Sequence, residues 1–112
     1  MRDVFLAFVR VHVLHHAASE RIFGVEMMEE LERHGYAISP GTLYPLLHAL
    51  EHDGLLTSVQ EVVAGKSRRY YRTTPGGDKL LDALQDKIRE LVDEVLPRPA
   101  RRRASKRTPG SR

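Results

Sequence analysis

Residues 38–56 read ISPGTLYPLLHALEHDGLL, and they hold a hydroxyl, a phenol and an imidazole at Thr42, Tyr44 and His48. On the outer face of one helix these groups can touch base edges and donate to phosphate oxygens. Lys66, Arg68, Arg69 and Arg72 put four cations into seven residues further on, a density suited to neutralising phosphates. The plain alternatives are a polar helix face and a solvated loop tip. A second constellation is His12 and His16, spaced i, i+4 with His15 beside them. That spacing lets two imidazoles reach one ion, with a further ligand needed from another helix or a second chain. The plain reading is polar side chains near an interface. His48 and His52 repeat the spacing on the face turned to nucleic acid, where an ion is less expected. Phe5 and Phe8 share the histidine arc and are candidates to line an effector pocket, or simply to pack in a core or interface.

Chemistry of the catalytic kind finds no footing. There is no cysteine nucleophile, no phosphate-cradling glycine loop and no carboxylate pair on a plausible cleft. Ser19, Ser39, Ser58 and Ser67 lack an evident base. Gly76-Gly77 follows Thr74-Pro75 and suits a helix start better than a nucleotide.

The elements that must position these groups can be traced by period and punctuation. Residues 2–18 form a helix apolar on two sides, one with Leu6, Val9, Val13 and Ala17, the other with Val4, Ala7, Val11, Leu14 and Ala18. A second helix spans residues 24–34 with Val25, Met28 and Leu31 inward, an acidic outer surface and Gly35 as its stop. The third begins at Pro40 or Thr42, after Ser39 as N-cap, and ends before Gly54, with Leu43, Leu46, Leu47 and Leu50 inward. Pro45 cannot bond to the carbonyl of Gly41, so either the regular helix starts at Thr42 or its first turn is distorted. Residues 55–63 and 67–73 flank Ala64-Gly65-Lys66 as a hairpin. The last helix starts at Thr74-Pro75, and Leu81, Leu84, Ile88, Leu91 and Val95 form a short heptad seam. Two heptads are too short to stand alone, so the seam and the spare face of the first helix predict a dimer.

The full chain of 112 residues carries +3. Seven basic and no acidic residues lie in the last sixteen, so residues 1–96 carry −4. Affinity for an acidic polymer must therefore come from the local basic patch or from the tail. The tail, residues 97–112, has no apolar period and is expected to lack stable structure. The absence of cysteine fits a reducing compartment, and no apolar run approaches the ~20 residues of a membrane span.

Helix, tight turn, helix, then hairpin is the order of a winged helix-turn-helix. The run Ser39, Pro40, Gly41, Thr42, Leu43, Tyr44, Pro45 resembles the signature of the PadR family of bacterial transcriptional regulators. The likeness extends to Gly24, to Leu50-Glu51-x-x-Gly54-Leu55 and to Tyr70-Tyr71-Arg72-Thr73, and covers residues 4–95. A single C-terminal helix resembles the compact subfamily. That resemblance implies a homodimer exchanging contacts between first and last helices, an inverted-repeat operator and repression relieved by a small ligand. The chain departs from the family in two ways: its third helix has no Lys or Arg, and its last helix has no Trp for stacking on flat ligands.

The expectation is thus a mainly α fold with a two-stranded β-wing: residues 1–73 as reading head, 74–96 as dimerisation helix, 97–112 as basic tail. Ser39, Thr42, Tyr44, His48, Lys66, Arg68 and Arg69 are expected to meet double-stranded DNA. Leu81, Leu84, Ile88, Leu91 and Val95 are expected at the dimer seam, Phe5 and Phe8 in an effector pocket, and His12 and His16 at a metal. The expected partners are DNA and a second copy of the chain, with no membrane, in the cytoplasm. No cofactor is required, and the effector is a divalent metal or a small molecule. The competing reading from another class is a winged-helix module that binds protein in place of DNA, which the acidic second helix favours.

Overall fold

Local chemistry sets several of the helix ends among the described residues. In the computed structural model, which describes residues 1–97, the order is α1 (Arg2–Ser19), β1 (Ile22–Phe23), α2 (Gly24–Arg33), α3 (Pro40–His52), β2 (Leu56–Val63), β3 (Lys66–Thr73) and α4 (Pro75–Val95). The basic tail lies outside the described residues, apart from Pro97. Residues 1–81 form one compact unit, and a second begins at Asp82, so the division falls inside α4. No helix among the described residues is long and apolar enough to cross a membrane.

The two stop glycines act by the same device. Gly35 has φ +91° and Gly54 φ +80°. At α2 the amide of Tyr36 donates to Leu31 (2.9 Å) and that of Gly35 to Glu32 (3.0 Å). At α3 the amide of Leu55 donates to Leu50 (2.9 Å) and that of Gly54 to Glu51 (3.0 Å). Both are Schellman motifs, which satisfy the last carbonyls and turn the chain sharply. α4 opens on Thr74, whose Oγ1 accepts the amide of Gly77 at 3.0 Å, with Pro75 at the first helical position. At α2, Phe23 N–H donates to Glu26 Oε1 at 3.3 Å, so a carboxylate meets the positive helix end.

α3 starts at Pro40 and runs through Pro45. Pro45 has no amide to give the carbonyl of Gly41, and both residues are exposed. Ser39 stands at the N-cap position, but its hydroxyl does not cap an amide; it donates to Thr42 Oγ1 at 3.3 Å.

The hairpin turns on two residues, not three. Ala64 (φ +52°) and Gly65 (φ +77°) form a turn with φ positive at both centres, and Lys66 already pairs with Val63. β3 also takes β1 on its other edge, with Ile22 opposite Tyr71 and Phe23 opposite Tyr70, so the wing belongs to a three-stranded antiparallel sheet of order β1-β3-β2. β1, at two residues, is too short to carry a period in the sequence.

The core of the first unit gathers Val9, Val13, Leu14 and Ala17 of α1, Met27 and Leu31 of α2, the four leucines of α3, Leu56, Tyr71 and Leu81. The inner stripe of α2 is therefore Met27 and Leu31, with Met28 half-buried; Val25 is 48% exposed, contrary to the stripe drawn through it. On α1, Val4 stays exposed, whereas Leu14 of the same expected side is buried.

Candidate nucleic-acid interface

α3 presents Gly41, Pro45, His48, Ala49 and His52 outward. Thr42 and Tyr44, expected on the same face, are half-buried, and so is Glu51. Each is drawn to a neighbour. Thr42 Oγ1 accepts from Arg2 Nη2 at 3.3 Å and from Ser39. Arg2 thus brings a cation to the start of a helix that has none of its own. No motif marked it, because forty residues separate it from Thr42. Glu51 Oε2 accepts from Ser58 Oγ at 2.8 Å.

Tyr44 lies against the backbone of Gly24 at the first residue of α2. A Cβ at Gly24 would stand 2.4 Å from Tyr44 Oη and 2.7 Å from two ring carbons. Gly24 is therefore what lets the phenol lie down between α2 and the wing. Tyr44, Gly24, Phe23 and Val25 line a cleft of about 410 Å³ whose far side is Lys66, Ser67, Arg68 and Arg69. The fold thus places four of the expected contact residues, Tyr44, Lys66, Arg68 and Arg69, around one cleft beside the open face of α3. Ser39, Thr42 and His48 lie on α3 or at its start, outside that lining.

Successive wing residues alternate faces, so Lys66, Arg68 and Arg72 share one side of β3 and Arg69 takes the other, with buried Tyr71. Arg69 donates from Nη1 to Ser58 Oγ and from Nη2 to Gln60 Oε1, both at 3.0 Å. Through Ser58 it continues to Glu51, so a polar chain joins the base of the wing to α3. Burial pushes the Tyr71 phenol up, and Glu51 adds to that while Arg69 opposes it. On the other face Arg68 sits 4.4 Å over the ring of Phe23, and Arg21 sits 4.2 Å over Tyr70 and pairs with Glu61.

The remaining candidates fall elsewhere. Phe5 lines a separate cleft of about 650 Å³ with Leu6, Val9, Tyr36, Ile38 and Thr42; Phe8 is not part of it and lies exposed. His12 and His16 are half-buried on α1, and His34 at the end of α2 joins them. Burial lowers the pKa of His12 below the usual 6.5, and His34, His16 and His15 lower it further. Burial also lowers that of His16, opposed by Glu30. Of the expected seam, Leu81 is buried in the first unit's own core and Leu84 is half-buried, while Ile88, Leu91 and Val95 are exposed.

Comparison with known proteins places this architecture. The Transcriptional regulator PadR-like family matches residues 13–83. The Transcriptional regulator Rv3488 of Mycobacterium tuberculosis is 53% identical over 96 residues, covering 86% of this chain and 90% of the relative. A crystal structure of a PadR family transcriptional regulator from Eggerthella lenta is similar with TM-score 0.69 and 35% identity, covering 84% of this chain and 87% of that one. A PadR-like regulator from Bacillus cereus shares the fold with TM-score 0.74 at 22% identity, over 87% of this chain and 99% of that one. The helices, the wing and the family match agree: the chain belongs to the PadR family of transcriptional regulators, which are not enzymes.

Proposed function

We propose that the protein is a sequence-specific DNA-binding repressor that acts as a homodimer on an inverted repeat and is released by a small effector. The observation that carries the reading is the convergence of Tyr44, Lys66, Arg68 and Arg69 on one cleft beside the exposed face of α3. The helix enters the major groove with His48 and the outer turns, while the wing cations and Arg2 hold phosphates. Base reading by this helix is modest, because it has no arginine to grip guanine with two bonds; Thr42 and His48 carry single contacts. The dimer is supported by two uncovered apolar faces: Ile88, Leu91, Val92 and Val95 on α4, and Val4, Phe5 and Phe8 on α1. Covering them removes apolar surface from water at about 25 cal/mol per Å². Two recognition helices in one dimer then require two half-sites.

The test is an anisotropy titration of the full chain with duplexes from the region upstream of its own gene, against a shuffled duplex. Specific binding at about 0.15 M salt, with a reporter that rises when the gene is deleted, supports the proposal. Equal, weak binding to both duplexes would favour a protein-binding winged helix instead.

A further inference from the structure

His12 and His16 alone make half a metal site, since a stable protein site needs at least three ligands. The fold brings the third. The Schellman turn through Gly35 ends α2 at His34 beside α1, and the ligand nitrogens of His12, His16 and His34 all lie within 4.8 Å of one another. The ring of His12 is stacked 4.9 Å from that of His34, and His16 is 5.9 Å from it. Three nitrogens on one tetrahedral ion at about 2.1 Å stand roughly 3.4 Å apart, so these nitrogens need to close in by at most about 1.4 Å. A separate sign is His16 Nε2, which is shielded from solvent yet has no hydrogen-bond partner. A bound ion would satisfy a polar atom buried in this way. Glu30 Oε1 lies 3.9 Å from that same nitrogen, close to the spacing of two ligands on one ion.

We propose that His12, His16 and His34 bind a borderline divalent transition-metal ion of the zinc, nickel or cobalt class, with Glu30 Oε1 closing the tetrahedron while its other oxygen, Oε2, pairs with Arg33. Imidazole and carboxylate together suit such ions better than magnesium or calcium. The ion ties α1 to the end of α2, directly before the turn that leads to α3. The site rests on side-chain geometry within one chain and stands apart from the DNA reading.

The test uses untagged full-length protein and zinc chloride in calorimetry, with cobalt absorption as a second readout. Wild type is expected to bind one zinc per chain and to give the intense visible bands of tetrahedral cobalt. His34→Ala and His12→Ala are each expected to weaken zinc at least tenfold and to abolish those bands, with circular dichroism unchanged. His15→Ala, which alters the neighbouring imidazole, is expected to bind as wild type. His34→Gln guards against misfolding of the alanine variant and is expected to lose the ion equally. No zinc uptake by wild type, or a His34 variant that binds as well as wild type, overturns the site and leaves a stack of imidazoles.

Discussion

Replacing either glycine of the Gly76-Gly77 pair by alanine should move stability in opposite directions. At Gly77 an added Cβ would stand 2.1 Å from the carbonyl oxygen of Leu55 and 3.1 Å from its carbon. An ordinary contact is near 3.4 Å, so something must retreat by more than an ångström. The obstacle is backbone, and it is already engaged: the same oxygen accepts the amide of Thr74 at 3.1 Å. Overpacking costs about 1–3 kcal/mol, and a weakened backbone hydrogen bond adds roughly 1 kcal/mol. Alanine returns up to about 1 kcal/mol of helix propensity. The net cost at Gly77 is therefore about 1–3 kcal/mol. At Gly76 the nearest atom to a Cβ is the Gly54 oxygen at 3.4 Å, an ordinary contact, so only the propensity gain remains. At roughly 4–8 °C per kcal/mol for a domain of this size, Gly77→Ala should melt about 5–20 °C lower and Gly76→Ala at or slightly above wild type. The assay is thermal circular dichroism at one protein concentration, since a dimer's melting point depends on it. Equal melting of the two variants, or a Gly77→Ala protein as stable as wild type, would refute the packing of α4 against the exit of α3.

Gly24→Ala should displace the phenol of Tyr44 and weaken specific DNA binding nearly as Tyr44→Ala does; retained affinity in both would show that this tyrosine is not at the contact. Lys66→Ala and Arg68→Ala should each make the slope of log affinity against log salt shallower by about 0.9, and an unchanged slope in the double variant would remove the wing from the phosphate contact. Ile88→Asp places a carboxylate on the exposed α4 stripe, so if the proposed dimer uses that stripe, sedimentation at micromolar concentration should show wild-type dimer and variant monomer; a wild type already monomeric there would dispose of the seam. Because His12 and His16 bind protons less readily when folded than at the usual 6.5, the unfolded chain takes up more protons below that value. Stability present above about 6.5 is then lost as pH falls through and beneath it, and the urea midpoint measured without metal should drop as the pH is lowered past that value. A His12→Asn, His16→Asn variant should flatten that dependence, and a variant with the same pH profile as wild type would contradict the assignment.

What the sequence determined by itself was whatever depends on a few consecutive residues. Gly35 and Gly54 end helices because a left-handed residue there is a local need, and both do so with the same pair of hydrogen bonds. Thr74-Pro75 starts α4, Ala64-Gly65 turns the hairpin, and the leucines of α3 face inward, all as local rules require. Tertiary structure decided which neighbour each face meets. The rotation of α2 that buries Met27 and leaves Val25 open is set by its neighbours, since either stripe satisfies the helical period. β1 exists only because β3 offers it an edge. Arg2 reaches Thr42, Arg69 reaches Glu51 by way of Ser58, Tyr44 rests on Gly24, and His34 meets His12 and His16. A period tells which side of an element is apolar, but not what lies across from it; these meetings arise only once burial of the apolar faces has fixed how the helices cross.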